Sequence, residues 1–428
     1  MKACHLDLIL NDQGGYLYDP GNLSVKMLNA TAASLVCLAD GTRTVHQLAK
    51  ALAAKFSDVP FDIIEKDVKN FTAYLLEQGC LRNAPEPALE YLILYVTTAC
   101  NMRCQHCWVS GGHSSTGEVT GEELLQVLNE ARMAGLDRIN ITGGEPLLRG
   151  DLVLEVLDKA QELCLRTTLE TNGTLLNEDY VHELGHRRVG TVSVSLDFPD
   201  HQRFDRFRGM NGGFARVVHA FGLLVSHGIP AVGLMTVTKE NLPVIEDVAE
   251  LVLGRLGVNK LKIQPCNAIG RAREMHNELL GPDQILELIG VMRKLAATYS
   301  GRIESLIGRA FSGTGKDGIE AGACRFRNML SICPNGDISI CGLALTRPEV
   351  VLGNIRTHNL LEVWQSAELL KCLRTLSPDT VMGVCSICRF RASCANVCPA
   401  NAFEAYETFL GPSPLCQQLY EACFLTSI

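Results

Sequence analysis

The first 85 residues combine a short alternating pattern of apolar and polar positions with longer stretches of helical periodicity. Alternation on both sides of a turn-forming segment predicts a β-hairpin, and apolar residues at helical spacing then predict three helices. The hairpin segments are 5–10 and 15–18, and the helices are 30–38, 44–56 and 61–78. This pattern favours a small winged-helix-like α+β domain over residues 1–85, followed by a proline-containing linker.

Between Tyr91 and about residue 300, short apolar runs alternate with amphipathic helices. The six runs are 91–97, 138–142, 166–170, 191–195, 231–236 and 260–264. Repeated βα units predict a parallel sheet, either closed into a barrel or doubly wound, with its ligands at the carboxyl ends of the strands. We therefore expect an α/β core over residues 86–300.

Composition and charge limit the classes to which the protein can belong. With 428 residues, 47% hydrophobic and 20% charged, the chain is large enough for two or three domains. It has no apolar run of the roughly 18 to 20 residues that a membrane span needs, and its start lacks a signal-peptide pattern. We expect a soluble cytoplasmic protein with no membrane partner. The net charge of -8 is dispersed, which argues against nucleic acid as the main substrate.

The chain contains 18 cysteines. An intracellular protein gains little from disulfides, so this number indicates metal binding. Most of the cysteines lie in two dense regions, one near residue 100 and one from Cys324 to Cys423. Five lie outside them and are expected to be small buried core residues: Cys4, Cys37, Cys80, Cys164 and Cys266.

Three cysteines follow the first predicted strand of the α/β core, with the spacing Cys100-x3-Cys104-x2-Cys107. They can ligate three irons of a 4Fe–4S cube and leave the fourth iron open, because no further cysteine lies nearby. An open iron can chelate the amino and carboxylate groups of a methionine moiety and hold its sulfonium beside the cluster. A zinc site with His106 as the fourth ligand is the alternative that the spacing leaves open.

These residues resemble the signature of a known family. The three cysteines, with His106 before the last of them, resemble the CxxxCxΦC signature of the radical S-adenosylmethionine (SAM) superfamily, and Gly143, Gly144, Glu145 and Pro146 after the second strand resemble its GGEP motif. The resemblance implies a partial (β/α)6 barrel whose cysteine-bound cluster cleaves SAM to a 5′-deoxyadenosyl radical. It also implies that the GGEP segment binds the SAM amino group, and that a donor such as flavodoxin or ferredoxin supplies the electron.

The same resemblance gives three more candidate SAM contacts. Asn172 follows the third strand and Ser195 ends the fourth, where the family places contacts to the ribose and carboxylate. Arg208 lies in a segment, 205–209, that is similar to one whose arginine reaches the SAM carboxylate. An ordinary solvated surface arginine is the alternative for Arg208.

The C-terminal cysteines resemble the seven-cysteine pattern of the SPASM domain, which in radical SAM peptide and protein maturases holds two auxiliary iron–sulfur clusters. We expect this domain over residues 301–428 and expect both clusters to be of the 4Fe–4S type. The resemblance implies a distal cluster on Cys385, Cys388, Cys394 and Cys416, and a proximal cluster on Cys324, Cys341 and Cys398 with Cys333 as the eighth ligand. Cys423 is a rival to Cys416, and Cys372 is expected to pack in the core.

Auxiliary clusters can accept the second electron of a net oxidation, or they can have the purely structural role of stabilising a small domain. The N-terminal segments 15–18, 38–44 and 75–79 resemble PqqD and the related recognition elements of ribosomally made, modified peptides. Such elements bind a leader peptide by adding it as a strand to their sheet. We therefore predict a radical SAM oxidoreductase, a peptide maturase, that installs a thioether or carbon–carbon crosslink in a precursor peptide.

Three alternatives remain at this level. The N-terminal domain could be a degenerate packing domain that binds no leader. The chain could modify haem or tetrapyrrole side chains, because some enzymes of that pathway share the barrel and a cysteine-rich tail. A non-enzymatic peptide-binding chaperone is the third alternative, and the intact cysteine and GGEP motifs weigh against it.

Overall fold

The computed structural model describes most of the chain. The described residues are 2–3, 7–11, 14–19, 24–39, 45–53, 56, 59–78, 81–82, 87–305, 319–321, 324–376, 380–388 and 398–422. Cys4, Cys80, Cys394 and Cys423 lie outside them.

A three-stranded antiparallel sheet and three helices form the N-terminal domain. Its strands are β1 (Lys2–Ala3), β2 (Asp7–Asn11), β3 (Gly14–Asp19), β4 (Ser24–Asn29) and β5 (Leu81–Arg82), and its helices are α1 (Ala30–Leu38), α2 (Val45–Ala53) and α3 (Phe61–Glu77). The sheet has the order β2-β3-β4, and β1 pairs with β5. The predicted hairpin and helices are present. The sequence analysis missed β4, whose apolar residues Val25 and Met27 are exposed.

An eleven-stranded sheet forms the centre of the described chain. Its parallel strands are β6 (Tyr91–Tyr95), β7 (Arg138–Thr142), β8 (Arg166–Thr171), β9 (Thr191–Ser195), β10 (Ala231–Val237), β11 (Lys260–Pro265), β12 (Ile303–Ser305), β13 (Ile319–Ala321) and β14 (Met329–Ile332). Two antiparallel strands, β15 (Asp337–Ser339) and β16 (Val351–Asn354), complete one edge. The six predicted strands correspond to β6–β11, and the order runs without a switch from β13 down to β6 before β14. The sheet is therefore not doubly wound.

Helices follow the strands of the α/β core. They are α4 (Gly121–Met133), α5 (Gly150–Glu162), α6 (Glu178–His186), α7 (His201–Arg208), α8 (Gly213–Ser226), α9 (Ile245–Ala249) and α10 (Pro282–Thr298). Thr120 begins α4 through a capping box with Glu123, which satisfies free N–H groups of the first turn. The described C-terminal region adds the helices Leu360–Ser366, Glu368–Thr375, Val384–Ile387, Pro399–Tyr406 and Pro414–Glu421.

Side chains alternate between two environments along the parallel strands. In β11, Leu261 and Ile263 are fully buried against the helices, whereas Lys260, Lys262 and Gln264 are half-buried on the opposite face. The same alternation occurs in β6, β8 and β10. Because the inward-facing side chains keep partial exposure, the interior of the curved sheet is open to solvent and is not a packed core.

The C-terminal region is built onto the same sheet. β14 pairs in parallel with β6, so that Ser331 lies opposite Ile93. The Trp364 indole is fully buried and donates a hydrogen bond of 2.6 Å to the backbone oxygen of Pro87. This arrangement places Cys333, which directly follows β14, beside the first strand of the α/β core.

Candidate active site

Backbone hydrogen bonds hold the loop that carries the first three cysteines at the carboxyl end of β6. The Cys100 N–H donates to Gly112 O, and two further N–H groups point at sulfur: Met102 N–H lies 3.4 Å from the Cys100 Sγ, and Gly111 N–H lies 3.4 Å from the Cys107 Sγ. N–H donors of this kind stabilise negative charge on an iron-bound thiolate. The loop geometry therefore suits a cluster.

The electrostatics of these thiols are consistent with metal ligation. Burial raises the pKa of Cys100 to about 11, and burial also raises the pKa of Cys104. Both thiols would remain protonated at neutral pH unless a cation stabilised the thiolate. All three cysteines are free thiols. The donor set and its surroundings therefore fit a cluster whose irons supply that positive charge.

The GGEP segment packs directly beneath the cysteine loop. Gly143 has a φ of +149°, and a Cβ at Gly144 would lie 2.2 Å from the backbone oxygen of Ala99. Only glycine fits at both positions, because one backbone conformation is left-handed and the other approach is too close. Pro146 is buried and begins a short 3-10 turn, Pro146–Arg149. The motif thus places its own backbone within reach of whatever the cysteine loop holds.

Glu145 is fully buried and accepts hydrogen bonds from three protein groups. Its Oε1 accepts from the Leu147 N–H at 3.0 Å and from the Thr171 hydroxyl at 2.6 Å, and its Oε2 accepts from the Asn172 N–H at 2.7 Å. Burial raises the pKa of Glu145, while these hydrogen bonds oppose the shift. The carboxyl group of Glu145 therefore connects the segment after β7 to the end of β8 through hydrogen bonds.

Asn172 connects the third strand end to the cysteine loop. Its Nδ2 donates to Asn101 Oδ1 at 2.7 Å and lies 4.0 Å from the Cys100 Sγ. Its Oδ1 accepts from the N–H and the hydroxyl of Thr174, and Asn101 donates in turn to the Thr174 hydroxyl. Asn101 and Thr174 were not predicted as site residues, because neither belongs to a motif that the sequence shows.

Arg208 is a buried residue, so the alternative of a solvated surface arginine was wrong. Arg208 is only 7% exposed. Its guanidinium donates to the carboxylate of Asp197 at 2.6 Å and lies 3.6 Å from the Cys104 Sγ. Burial by itself lowers the pKa of Arg208, but the charges of Asp197 and Cys104 outweigh burial and raise the pKa above its usual value, so the arginine stays charged. A buried ion pair therefore touches one of the three cluster thiols.

His106 and Ser195 have different surroundings. The His106 ring stacks on Phe207 at a centroid distance of 4.5 Å, and burial lowers its pKa to about 3. Its Nδ1 is buried without a hydrogen-bond partner among the described residues. Ser195 ends β9 on the half-buried, inward-facing side of the sheet. Ser195 therefore lines the open interior close to the strand ends.

Arg271 holds the cysteine loop through hydrogen bonds to its backbone, and this residue was not predicted from the sequence. Its side chain donates to Cys104 O at 2.8 Å and to Gly111 O at 2.7 Å, and its N–H donates to Cys107 O at 3.0 Å. Gly270 precedes it with a φ of +62°, where a Cβ would lie 2.2 Å from the backbone oxygen of Trp108. The Gly270-Arg271 pair after β11 was the only sequence signal for this role, and it belongs to no recognised motif.

The four cysteines that are predicted for the proximal auxiliary cluster interact electrostatically, each of the other three with Cys341. Burial raises the pKa of Cys324, and the nearby Cys398 and Cys341 raise it further. Burial and the charge of Cys398 raise the pKa of Cys341 to about 12, and Cys333 adds to this shift. Cys333 itself is 1% exposed. These four cysteines therefore lie in one region of the described chain, and their ligation of a single cluster stays a prediction.

Only part of the distal set lies in the described residues. Burial raises the pKa of Tyr406, and the charges of Glu421, Cys385 and Cys416 raise it further. The Ser413 N–H lies 3.4 Å from the Cys385 Sγ. Cys388 is half-buried in the same region, and Cys394 is outside the described residues.

Not all of the remaining cysteines are buried as expected. Cys372 and Cys37 are exposed, so their prediction as core residues was wrong, whereas Cys266 is buried and Cys164 is half-buried. The exposed pair lie on helices whose buried faces are formed by other residues.

Comparisons with known proteins agree with this geometry. Family models match three parts of the chain: the radical SAM superfamily over residues 94–252, the coenzyme PQQ synthesis protein D over 14–81, and the SPASM iron–sulfur cluster-binding domain over 324–389. An AdoMet-dependent heme synthase of Methanosarcina barkeri is 30% identical over 344 residues, which cover 75% of this chain and 94% of that protein. The mycofactocin maturase MftC of Mycobacterium ulcerans is 29% identical, covering 76% and 87% respectively.

A solved structure has a similar fold over nearly the whole chain. Streptococcus suis SuiB, solved in complex with its precursor peptide SuiA, has a TM-score of 0.65 at 16% identity and covers 97% of this chain and 99% of its own. No helix within the described residues is long and apolar enough to cross a membrane.

Fold and site together define an iron–sulfur enzyme that uses SAM. The chain belongs to the radical SAM superfamily. Within that superfamily it combines a PqqD-like N-terminal domain with a C-terminal SPASM domain. The predicted partial barrel and the predicted order of the three domains are confirmed.

Proposed function

We propose that the chain is a peptide maturase that oxidatively crosslinks a residue of a ribosomally made precursor peptide, forming a thioether or carbon–carbon bond. The observation that carries the proposal is the PqqD-like domain joined to a radical SAM core and a SPASM domain. The fold of SuiB, a protein solved with its precursor peptide, extends over all three parts. The relative named a mycofactocin maturase supports the same class of activity.

The edge of the N-terminal sheet suits a leader peptide. β4 lies at one end of the order β2-β3-β4, and Val25 and Met27 on it are 58% and 80% exposed. Lys26 Nζ donates to the side chain of Gln78 at 3.0 Å, which ties this strand to the end of α3, where Tyr74 is exposed. An extended leader can pair with β4 through its backbone and place alternate side chains on this apolar surface.

Within the core, the residues described above would hold the cofactors. Cys100, Cys104 and Cys107 would ligate the first 4Fe–4S cluster, with the GGEP glycines, Asn172, Ser195 and Arg208 around SAM. When bound, cluster and SAM supply the 5′-deoxyadenosyl radical that abstracts hydrogen. The Met102 and Gly111 N–H groups and the Arg208 guanidinium stabilise charge on the thiolates. The Arg208–Asp197 pair also excludes water from this side of the loop.

Two auxiliary 4Fe–4S clusters complete the proposal. Cys324, Cys333, Cys341 and Cys398 would hold the proximal cluster, beside the interior of the barrel, and Cys385, Cys388, Cys394 and Cys416 the distal one. A proximal cluster at this position would take the electron that a net oxidation releases. We place the enzyme in the cytoplasm, with flavodoxin or ferredoxin as its electron donor.

The test is a turnover experiment under anaerobic conditions. The reduced, cluster-loaded enzyme is incubated with SAM and the short precursor peptide encoded beside its gene. We expect a peptide lighter by two hydrogens together with 5′-deoxyadenosine, and neither product with the Cys104→Ala variant. A peptide of unchanged mass, formed while 5′-deoxyadenosine accumulates, would contradict the proposal.

A second candidate function is the modification of tetrapyrrole side chains. It is favoured by one observation, the 30% identity to an AdoMet-dependent heme synthase of which the chain covers 94%. Turnover of a propionate-bearing porphyrin, with no change in any peptide encoded nearby, would support this candidate over the first.

A further inference from the structure

Two charged side chains face the open interior of the barrel from different strands. Glu170 lies on β8 next to the fully buried Leu169, and Lys262 lies on β11 between the fully buried Leu261 and Ile263. Since strand residues alternate between faces, both charged side chains project away from the helices and into the interior. β9 and β10 separate the two strands in the sheet, so the two charged side chains come from different parts of its inner face.

Neither side chain has a partner within the part of the chain that the structure describes. Lys260, two residues before Lys262 on the same face, forms an ion pair of 3.0 Å with Glu304. Glu170 and Lys262, by contrast, make no hydrogen bond or ion pair with any described residue. Partly buried charges without partners cost stability, and they are characteristic of sites where a ligand supplies the missing partner.

Glu170 lies one residue before the end of β8, near the GGEP segment. The next two residues in the chain, Thr171 and Asn172, donate to Glu145 of that segment. In the neighbouring strand, Ser193 lies opposite Glu170. Burial raises the pKa of Tyr95 well above its usual value, and the charges of Cys341 and then Glu170 contribute to the shift. Glu170 is therefore close both to the SAM-binding strand ends and to Tyr95.

Lys262 lies on the side of the auxiliary cysteines. Burial, Cys398 and Cys341 raise the pKa of Cys324, and the positive charge of Lys262 opposes that shift. The Gly342 N–H, next to Cys341, donates to the Tyr95 hydroxyl at 3.1 Å. The interior between Glu170 and Lys262 is thus bounded by the SAM site at one end and by the proximal auxiliary cysteines at the other.

The inward-facing charges do not cancel. On the described strands β6–β12, Arg138, Arg166, Lys260 and Lys262 are positive, while Glu170 and Glu304 are negative, so four minus two leaves two net positive charges. Arg166 is paired with Asp137, which does not lie on these strands. Because Glu304 is paired with Lys260, the excess is available at Lys262 and Arg138. An interior of this charge complements an anionic group.

We propose that this interior is a carboxylate subsite of the substrate pocket, in which Lys262 binds a substrate carboxylate and Glu170 accepts a hydrogen bond from a donor group of the same substrate. The inference deepens the proposed function and rests on it. A carboxylate can come from a peptide, as its C-terminus or an acidic side chain, or from the propionate of a tetrapyrrole. The chemistry at Lys262 is the same in both cases.

The experiment compares charged and neutral forms of each substrate. Cluster-loaded enzyme with S-adenosylhomocysteine, which is not cleaved, is titrated with the core segment of the neighbouring precursor, lacking its leader so that the N-terminal domain does not contribute. A second arm uses a porphyrin bearing propionates. The neutral partners are the core peptide with its carboxylates amidated and the porphyrin methyl ester. The variants are Lys262→Met and Glu170→Leu, with Lys294→Met on the exposed surface of α10 as the control.

We expect Lys262→Met to weaken binding of the acidic form about tenfold or more and to leave binding of the neutral form unchanged. Glu170→Leu should weaken both forms alike, because its partner is a donor and not the carboxylate. The arm in which wild type prefers the acidic form shows whether the bound carboxylate belongs to a peptide or to a tetrapyrrole. The iron content of the two cluster-loaded variants should equal that of wild type, which shows that they fold, and Lys294→Met should match wild type in every arm.

The inference is overturned if wild type and Lys262→Met discriminate equally between acidic and neutral forms. That result would leave the proposed function standing, provided that wild type still converts the precursor. If wild type binds and converts the acidic porphyrin only, the peptide function fails and the carboxylate subsite holds. If it converts neither substrate, the proposed function itself fails, and the subsite fails with it.

Discussion

The guanidinium of Arg271 donates to the backbone oxygen of Cys104, although 167 residues separate them in the chain. The same side chain donates to Gly111 O, so that one residue, which follows β11, holds both sides of the cysteine loop, which follows β6. The loop that carries Cys100, Cys104 and Cys107 is therefore positioned by the segment after the last of the six predicted strands as well as by the strand that precedes the loop.

Replacing Arg271 by lysine should loosen the cysteine loop. A lysine keeps the charge but lacks the fork that reaches two carbonyl oxygens in fixed geometry. We expect the rate of 5′-deoxyadenosine formation to fall by about tenfold and the electron paramagnetic resonance signal of the SAM-bound cluster to change. Arg216→Lys, at an exposed position on α8, is the matched control. Wild-type kinetics and spectrum in Arg271→Lys would contradict the clamp.

Glu404 connects the clamp segment to the auxiliary region. Arg273, two residues after Arg271, forms an ion pair of 2.6 Å with Glu404 on the helix that follows Cys398. We expect Glu404→Gln to leave 5′-deoxyadenosine formation intact but to lower the amount of product formed per 5′-deoxyadenosine, because the two cluster regions lose a connection. Glu407→Gln, an exposed partner of Arg347, is the control. An unchanged product ratio would show that the connection has no role in coupling.

The buried pair of Asp197 and Arg208 should be sensitive to loss of one partner. Asp197→Asn leaves the arginine charge buried without its counter-ion, which costs about 3 kcal/mol or more. We expect a clear fall in the apparent melting temperature of the cluster-loaded enzyme. In the double variant Asp197→Asn/Arg208→Met the uncompensated charge is gone, so the fall should be smaller than in the single variant. A larger fall in the double variant would refute this account.

Gly144 should tolerate no side chain. A Cβ there would meet the backbone oxygens of Ala99 and Thr98 at 2.2 and 2.6 Å, and neither can move without shifting the cysteine loop. We expect Gly144→Ala to abolish 5′-deoxyadenosine formation and to weaken SAM binding, as measured by calorimetry. Gly185→Ala on α6, where a Cβ would meet no atom within 4 Å, should match wild type. SAM binding of wild-type strength in Gly144→Ala would exclude the close approach.

The contact between Glu123 and Arg356 should make stability depend on pH. The hydrogen bond from Arg356 lowers the pKa of Glu123 to about 2, from an ordinary value of 4.5. A carboxyl group whose pKa is lower in the folded state contributes stability above its unfolded pKa and loses that contribution as pH falls towards the folded pKa. The melting-temperature difference between wild type and Arg356→Met should therefore be constant from pH 7 to about 5 and shrink below that. A difference that grows on acidification would contradict the assignment.

The sequence by itself determined the local chemistry of this protein. The spacing of Cys100, Cys104 and Cys107, the Gly143–Gly144 pair and the strand periodicity are all short-range signals, because each depends on residues within one loop or one strand. The hairpin of the N-terminal domain and the positions of β6–β11 could be predicted for the same reason. β4 was missed because its apolar residues face outward and so resemble no buried strand.

Only the tertiary structure decided which distant residues meet. Arg271 at the cysteine loop, Arg208 beside Cys104, and Glu170 and Lys262 on the inner face of the sheet bring together elements far apart in the sequence, and no spacing rule connects them. The burial of Arg208 and the exposure of Cys372 also depend on which helix face the packed sheet covers. Burial and long-range contacts are decided by how the sheet curves and how the helices pack on it. The pattern of apolar and polar residues along the chain does not specify that packing.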